Sequence, residues 1–182
     1  MNFHECDVFD ARVIEPTPHQ DERGRFMRAW CQQEFLAHSI DFIPVQANMG
    51  CSLKRGTIRG LHYQTERAPE AKLVRCTSGE VFDVVVDLRP ASATHGKWYG
   101  TYLTPENGRM LYVPPGCAHG FQALHDNSEI YYLTSAYYDP KEARGVSFDD
   151  PAFGISWPLP VSSISPQDRS WPRFVPADGG QP

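Results

Sequence analysis

The sequence has no long apolar run and no cluster of basic residues. No segment approaches the ~20 consecutive apolar residues that a transmembrane helix needs, and residues 1–16 lack the apolar core of a signal peptide. The formal net charge is −5, and the basic residues are scattered, whereas a nucleic-acid surface needs a basic stripe. We therefore expect a cytoplasmic protein with neither a membrane nor a nucleic acid as its partner. A small anionic ligand stays compatible with this charge, because a few converging arginines are enough to hold it.

Cysteine pairs of the kind that bind zinc or exchange disulfides are also missing. The chain has five cysteines, and they are spread out with no CxxC spacing. An odd number of separated thiols is typical of reduced cysteines with a structural role. They are Cys6, Cys31, Cys51, Cys76 and Cys117.

Stretches that favour a helix are few, and short β-type runs dominate. Sixteen prolines and fourteen glycines punctuate runs rich in Val, Ile, Phe, Tyr and Thr, a spacing typical of all-β sandwiches and barrels. The clearest strand is predicted at 80–88, where Phe82 and Val84 share one face while Asp83 and Asp87 lie on the other. Two acids on one face predict that this face is wet or functional.

Further strands and one helix are predicted from the same patterns. The helix is placed at 32–39, where QQEFLAHS has the best helical composition. A chain of 182 residues suits one domain, which we place at residues 1–174, followed by a loose C-terminal tail at 175–182. The other predicted strands are 25–31, 45–52, 71–77, 98–103, 110–113, 120–123 and 129–136.

Residues 108–119, GRMLYVPPGCAH, have a spacing that resembles the second sequence motif of the cupin jelly rolls. A strand there runs into a Pro-Gly turn that leaves His119 on the next strand, facing into the barrel. Cupins that bind metal usually carry two histidines and a glutamate in their first motif, but the corresponding stretch at 59–64, RGLHYQ, contains His62 alone. A transition-metal site is therefore short of ligands, and we expect no metal.

Seven segments form an ordered set along the chain. They are DERGRF at 21–26, VQANMGCS at 45–52, RGLHYQ at 59–64, KLVRCTSGEVFDVVVDLR at 72–89, PPGCAHGF at 114–121, YLTSAYYDP at 132–140 and FDDPAFGISWP at 148–158. Together they resemble the dTDP-4-dehydrorhamnose 3,5-epimerase family over roughly residues 5–170. The resemblance implies a cupin jelly-roll barrel, usually a homodimer. It also implies action without a metal or a dissociable cofactor on a nucleotide-diphosphate 4-keto-6-deoxy sugar.

The chemistry of such a sugar explains the residue types. A ketone at carbon 4 acidifies the hydrogens on carbons 3 and 5, so the enzyme needs a base, an enolate stabiliser and an acid that returns a proton to the opposite face. By resemblance His62 is the base, and the carboxylate of Asp168 orients it. Lys72 holds the enolate oxygen, and Tyr132, a phenol with a pKa of ~10, delivers the proton.

Each of these residues also has an ordinary structural interpretation. His62 fits a hydrogen-bonded core histidine, Lys72 fits a solvated lysine at a strand end, and Asp168 fits a surface turn. Tyr132 fits an aromatic core residue, although Tyr131 suits that role better because successive strand residues face opposite sides.

The resemblance implies a further set of substrate-binding residues, in which arginines suit a diphosphate because their planar fork makes two parallel hydrogen bonds. Four positions depart from the family pattern. Arg28 replaces a glutamate that commonly faces the nucleotide base, and Glu70 replaces a glutamine, while Gly50 and Leu133 replace a serine and a lysine. The predicted substrate-binding residues are Arg23, Phe26, Arg28, Gln46, Asn48, Arg59, His119 and Tyr138.

Other functions stay open on the sequence alone. One alternative is a single-carbon epimerase or a ketoisomerase of another nucleotide sugar, and a ketoisomerase would give a shifted carbonyl instead of an inverted carbon. A cupin that only binds the sugar nucleotide would not exchange the hydrogens next to the ketone. A metal-dependent oxygenase is the third alternative, and the incomplete ligand set argues against it. The resemblance further implies a place in deoxysugar supply, for a surface polysaccharide or a glycosylated metabolite.

Overall fold

The computed structural model describes residues 1–176, which form thirteen β-strands and two short α-helices. The helices are α1 (Gln32–Ala37) and α2 (Pro166–Arg169). In this described part of the chain, no helix is both long and apolar enough to span a membrane. The strands are β1 (Asn2–Glu5), β2 (Arg12–Glu15), β3 (His19–Asp21), β4 (Gly24–Phe26), β5 (Gln46–Ser52), β6 (Ile58–Gln64), β7 (Lys72–Ser78), β8 (Val81–Asp87), β9 (Trp98–Leu103), β10 (Met110–Val113), β11 (Cys117–Ala123), β12 (Ser128–Thr134) and β13 (Ala143–Gly145).

Two antiparallel sheets make up the body of the molecule. The first sheet has the strand order β1-β2-β10-β7-β12-β5, and the second has the order β13-β6-β11-β8-β9. Neighbouring strands are mostly distant in the sequence, as in a jelly roll, because most connections cross to the other sheet. The strands β3 and β4 form a separate hairpin. The predicted all-β architecture with few helices is confirmed.

Apolar side chains fill most of the space between the sheets. Since alternate residues of a strand face opposite sides, Val74 and Leu111 of the first sheet meet Val85 and Phe121 of the second. A second cluster, around Phe35, covers the outer face of the first sheet. A third covers the outer face of the second sheet beneath the C-terminal segment. Burial on both sides of each sheet fixes the strands as a rigid frame.

Most predicted strands are present, with differences at their ends. The strands predicted at 98–103 and 110–113 are β9 and β10, and the helix predicted at 32–39 is α1. The strand predicted at 25–31 is wrong beyond Phe26, because the β3–β4 hairpin joins neither described sheet and residues 27–31 gain no ladder partner there. Of the predicted tail at 175–182, residues 177–182 lie outside the described residues.

Strand β8 is buried along its whole length, so of the two predictions for its acidic face, wet or functional, the first is wrong. Asp83 and Asp87 are both fully buried. Asp87 accepts hydrogen bonds from the Arg89 guanidinium and from the Thr94 hydroxyl, and these donors replace the water that the carboxylate has lost. Asp83 instead meets His119, in the cavity described next.

Candidate active site

One end of the space between the two sheets is a polar cavity of about 570 Å³. Its walls come from both sheets: His62 and His119 from the second, Lys72 and Tyr132 from the first. A pocket of about 340 Å³ adjoins the cavity and shares His62, Lys72 and Tyr132 with it. Asp168, from α2, lines the main cavity as well. The fold therefore brings together all four residues that were predicted to carry the chemistry.

His62 and Asp168 form a hydrogen-bonded pair at the cavity wall. His62 Nε2 lies 2.6 Å from Asp168 Oδ1, and the side chains are 44% and 7% exposed respectively. An ionised carboxylate can only accept hydrogen bonds, so Nε2 carries the ring proton and donates a hydrogen bond to Asp168. The second ring nitrogen, Nδ1, is then left with a lone pair that can take a proton from a ligand.

Three donors converge on the carboxylate of Asp168. Oδ1 accepts a second hydrogen bond from Trp171 Nε1 at 3.2 Å, and Oδ2 accepts one from the backbone N–H of Gly60 at 3.2 Å. Burial by itself raises the pKa of Asp168, but the hydrogen bonds from His62, Gly60 and Trp171 outweigh burial and leave this pKa below its ordinary value. The carboxylate thus stays charged and keeps His62 in one tautomer.

Backbone contacts explain how Asp168 reaches a histidine that lies 106 residues earlier in the chain. The N–H of Ile58 donates to the carbonyl of Ser163 at 2.9 Å, which ties the segment before α2 to the start of β6. Ser165 caps α2, since its side chain accepts from the N–H of Asp168 at 2.9 Å. The short helix therefore presents Asp168 beside β6.

A close approach of two glycines shapes the strand that carries His62. Gly60 has a φ of +117°, and a Cβ placed on it would lie 2.7 Å from the Cα of Gly120. The ladder between β6 and β11 shifts its register at this point, between His119 and Phe121. An L-residue with a side chain would not fit here. The irregularity leaves His62 and His119 as direct cross-strand neighbours.

Lys72 lies in the middle of the first sheet, opposite Val113 on β10 and Thr134 on β12. Its side chain is 11% exposed, and its Nζ is 3.1 Å from Oε2 of Glu70, whose side chain is 8% exposed. This is not the solvated lysine of the alternative interpretation. A largely buried ammonium acts strongly on any charge that develops nearby, because the surroundings screen it less than water does.

Tyr132 lies on β12 beside Val74 of β7 and Asn48 of β5. Burial is the main cause that raises the pKa of Tyr132, and the carboxylate of Glu70 adds to this effect while Arg59 opposes it. The phenol therefore keeps its proton throughout the neutral range. It is the cavity group best suited to give a proton to an anion.

A second histidine of the cavity wall, His119, is also paired with a carboxylate. His119 Nε2 is 2.8 Å from Asp83 Oδ1, and the side chains are 8% and 0% exposed. Among the described residues, Asp83 Oδ2 has no hydrogen-bond partner. The predicted binding residue His119 is therefore part of the cavity wall, and its hydrogen bond with Asp83 fixes the orientation of its ring.

Four more of the predicted binding residues line these spaces. Arg59 lines the main cavity and donates to the carbonyl of Cys51 at 2.8 Å. Gln46, Asn48 and Tyr138 line the adjoining pocket. The Gln46 side chain joins the other two, since it donates to Asn48 Oδ1 at 3.0 Å and accepts from the N–H of Tyr138 at 3.3 Å.

The remaining three predicted residues do not line the cavity of this chain. Arg23 and Phe26 lie on the exposed β3–β4 hairpin, where Arg23 pairs with Asp21 at 2.6 Å and Phe26 is 71% exposed. Arg28 follows the hairpin and pairs with Glu34 at 2.8 Å. The sequence could not show this separation, because it depends on where an isolated hairpin points.

Metal ligands are not clustered in the described structure. Within residues 1–176, no group of three or more His, Cys, Asp or Glu side chains is placed to hold a metal ion. His62 and His119 each have a carboxylate partner instead.

Comparison with known proteins identifies the family of the chain. A sequence model described as dTDP-4-dehydrorhamnose 3,5-epimerase matches residues 5–175. The dTDP-4-dehydrorhamnose 3,5-epimerase of Shigella flexneri is 42% identical over 181 residues, which cover 98% of each chain. The chain belongs to the dTDP-4-dehydrorhamnose 3,5-epimerase family.

Solved structures of this family share the fold. The crystal structure of dTDP-4-dehydrorhamnose 3,5-epimerase from Elizabethkingia anophelis superposes with a TM-score of 0.92 at 37% identity, covering 96% of both chains. The epimerase from Legionella pneumophila in complex with dTDP-4-keto-L-rhamnose gives a TM-score of 0.88 at 36% identity, covering 94% of this chain and 92% of that one. A 3′-monoepimerase from Streptomyces bikiniensis, in complex with dTDP-quinovose, gives 0.88 at 33% identity, covering 96% and 89%. The predicted family and the cupin jelly-roll fold are confirmed.

Sequence reasoning missed several residues of this epimerase-family cavity. Asp83, which lies behind the cavity wall, could have been assigned from its place on a strand between Val81 and Val85, where a buried acid needs a partner. Trp171 follows Asp168 by three residues, the spacing of neighbours on one turn of a helix. Nothing in the sequence distinguished its indole as a hydrogen-bond donor to Asp168. Gln167, which lines both the cavity and the pocket, had no distinguishing feature.

Proposed function

We propose that this chain inverts carbons 3 and 5 of a 4-keto-6-deoxy sugar linked to dTDP, without a metal or a dissociable cofactor. By its family the chain is a nucleotide-sugar epimerase, an isomerase that acts on carbohydrates. The observation that carries the detailed proposal is the cavity in which the His62–Asp168 pair meets Lys72 and Tyr132. These groups supply the base, the enolate stabiliser and the acid that the reaction needs.

His62 is the proposed base. Its Nδ1 takes the proton from the carbon next to the ketone, and the imidazolium that forms is stabilised by Asp168 at 2.6 Å. The electrons of the broken C–H bond move to the ketone oxygen and give an enolate. The Lys72 ammonium stabilises that oxygen, in a place where its side chain is 11% exposed.

Tyr132 is the proposed acid, and its position explains inversion. His62 belongs to the second sheet and Tyr132 to the first, so the two side chains come from opposite walls of the cavity. A sugar held between them loses a proton to one wall and gains one from the other. The carbon then has the opposite configuration.

The nucleotide part is assigned to the residues around the two spaces. Arg59 offers a planar cation for a phosphate, while Gln46 and Asn48 offer amides and Tyr138 an aromatic ring that is 62% exposed. Arg28 is paired with Glu34 at 2.8 Å, a carboxylate that also pairs with the ammonium of Met1. We keep dTDP as the carrier on the strength of the family.

We also propose a homodimer, which would give Arg23 and Phe26 their binding role. Both lie on a hairpin outside the two sheets, and in the proposed dimer this hairpin would contribute them to the partner's cavity. The edge strand β5 exposes Ala47, Met49 and Cys51 on one face, an apolar edge that another chain would cover. Sedimentation at micromolar concentration tests this, because a ~20 kDa species alone would contradict it.

A cytoplasmic location stays a proposal as well. All five cysteines of the chain are free thiols in the described structure, which fits a reducing compartment. Trapping free thiols in unbroken cells before lysis would test it, since paired cysteines would contradict the assignment.

Deuterium exchange tests the proposed reaction. The protein is incubated with dTDP-4-keto-6-deoxyglucose in deuterium oxide, and carbons 3 and 5 are followed by proton NMR. The proposal expects deuterium and inversion at both carbons. Exchange at carbon 3 alone would identify a single-carbon epimerase, a second candidate favoured by the likeness to the 3′-monoepimerase. No exchange with folded protein would contradict both.

A further inference from the structure

The pocket that adjoins the cavity is lined by a largely buried carboxylate that the proposed mechanism does not use. Glu70 lines the adjoining pocket together with Lys72 and Tyr132. Its side chain is 8% exposed, and its Oε2 lies 3.1 Å from Lys72 Nζ. A buried charge is costly unless a partner compensates it, so Glu70 and Lys72 each compensate the charge of the other.

The backbone and the ammonium of Lys72 are held by different means. The backbone is fixed in the centre of the first sheet by ladders to β10 and β12. The ammonium stands at the end of four flexible methylene groups, and their rotamers are free unless something holds the tip. The contact with Glu70 is the one that the structure gives to this tip within the described residues.

We propose that Glu70 is a positioning residue that holds the Lys72 ammonium where the enolate oxygen forms. The inference rests on the proposed role of Lys72. An ammonium has three N–H donors. The ion pair with Glu70, at 3.1 Å, occupies at most one of these donors, and the others stay available to the ligand. A donor that is already aligned needs no rearrangement when negative charge develops.

Glutamine and leucine substitutions separate the two properties of this carboxylate. Glu70→Gln keeps an oxygen at the same distance along the side chain, and that oxygen still accepts a hydrogen bond. This substitution therefore removes only the negative charge. Glu70→Leu has a similar volume and removes both the charge and the acceptor. If positioning is the role of Glu70, glutamine rescues activity and leucine does not.

The test measures steady-state epimerisation of dTDP-4-keto-6-deoxyglucose and the binding of dTDP. For Glu70→Leu we expect kcat to fall about 10-fold or more, a part of the ~10²-fold that a lost oxyanion donor costs. KM and the Kd for dTDP should stay within about threefold, because the contact acts on the transition state. For Glu70→Gln we expect kcat within about threefold of the unmodified chain. Glu66→Leu, in the exposed stretch before Glu70, is the matched control and should leave kcat unchanged.

A coupling measurement adds a readout that a purely structural role would not move. In a Lys72→Met background, Glu70→Leu should change the residual rate by less than about twofold, since neighbours acting as one unit are not additive. Should Glu70→Leu fail to fold alone, Glu70→Ala, which leaves room for water, takes its place in both measurements.

The outcomes distinguish this inference from the function on which it rests. No deuterium exchange by the unmodified chain overturns the proposed function and the role of Glu70 with it. With the unmodified chain active, a leucine or alanine variant within twofold of its kcat overturns the positioning role alone. A glutamine variant as slow as the leucine variant also overturns the positioning role alone. In that case the activity would depend on the charge of residue 70 and not on its ability to accept a hydrogen bond.

Discussion

Two histidine–carboxylate pairs contribute a histidine to the wall of the same cavity, and they differ in exposure and in support. His62 is 44% exposed and lies 2.6 Å from Asp168, whose carboxylate accepts from three donors. His119 is 8% exposed and lies 2.8 Å from Asp83, which is fully buried and has an oxygen with no partner among the described residues. The first pair is open to a ligand and electrostatically supported, and the second is closed.

This difference separates a reacting histidine from a binding one. A base must reach the ligand and needs a carboxylate that stays charged when the ring gains a proton. The His62–Asp168 pair meets both conditions. The His119–Asp83 pair fixes a ring in the wall, where it can contact a ligand without being free to move towards it. Residue type alone does not distinguish the two, whereas burial and hydrogen bonds do.

The largest expected effect comes from removing the open histidine. His62→Asn should lower kcat by about 10²-fold to 10⁴-fold, the usual contribution of a general base. The matched substitution in the closed pair, His119→Asn, should lower kcat/KM only about threefold to tenfold, the value of one neutral hydrogen bond. Steady-state kinetics on both variants checks this. Equal losses would remove the distinction between the pairs.

The two carboxylates give the next contrast. Asp168→Asn should lower kcat about 10²-fold, because an amide can no longer stabilise the imidazolium. Asp83→Asn should leave kcat within about tenfold but lower the free energy of unfolding by about 1–3 kcal/mol, since it leaves a buried amide incompletely paired. Kinetics together with urea unfolding measures both. A larger kinetic loss for Asp83→Asn would mean that the closed pair reacts.

A third buried acid, Asp87, extends the comparison to a site outside the cavity. Although burial opposes it, hydrogen bonds from Arg89, Ser92 and Thr94 lower the pKa of Asp87 to about 2. The folded-state pKa is below the unfolded value, so this stabilisation is complete above about pH 4 and is lost as the pH falls towards 2. Its size is about 2 kcal/mol.

Unfolding of the Asp87→Asn variant across pH 2–6 checks this sign and size. The unmodified chain should lose its excess stability over the variant as the pH falls from 4 to 2, with kcat at pH 7 unchanged in the variant. A constant difference between the two chains at all these pH values would contradict the assignment.

The sequence predicted most of the strands well, because they depend on local patterns. Alternation along 80–88 located β8, and the RGLHYQ and PPGCAH segments located His62 and His119 on strands that prove to be neighbours. The order of the residues also allowed Lys72 and Tyr132 to be assigned by resemblance. Both lie in the cavity.

What the sequence could not predict depends on contacts between distant parts of the chain. The exposure of the hairpin that carries Arg23 follows from its failure to join either sheet. The acidic face of β8, predicted to be wet or functional, is not wet, because partners from β11 and from the following loop compensate Asp83 and Asp87. Alternation reports which residues share a face and not what lies opposite that face.

The most direct test of the central claim, that base and acid act from opposite walls, is deuterium exchange by Tyr132→Phe. Without the phenol, His62 can still remove a proton and can return a deuteron only to the face it came from. The variant should therefore introduce deuterium next to the ketone with the configuration of the substrate retained, and His62→Asn should introduce none. Inverted product from Tyr132→Phe at the rate of the unmodified chain would contradict the account.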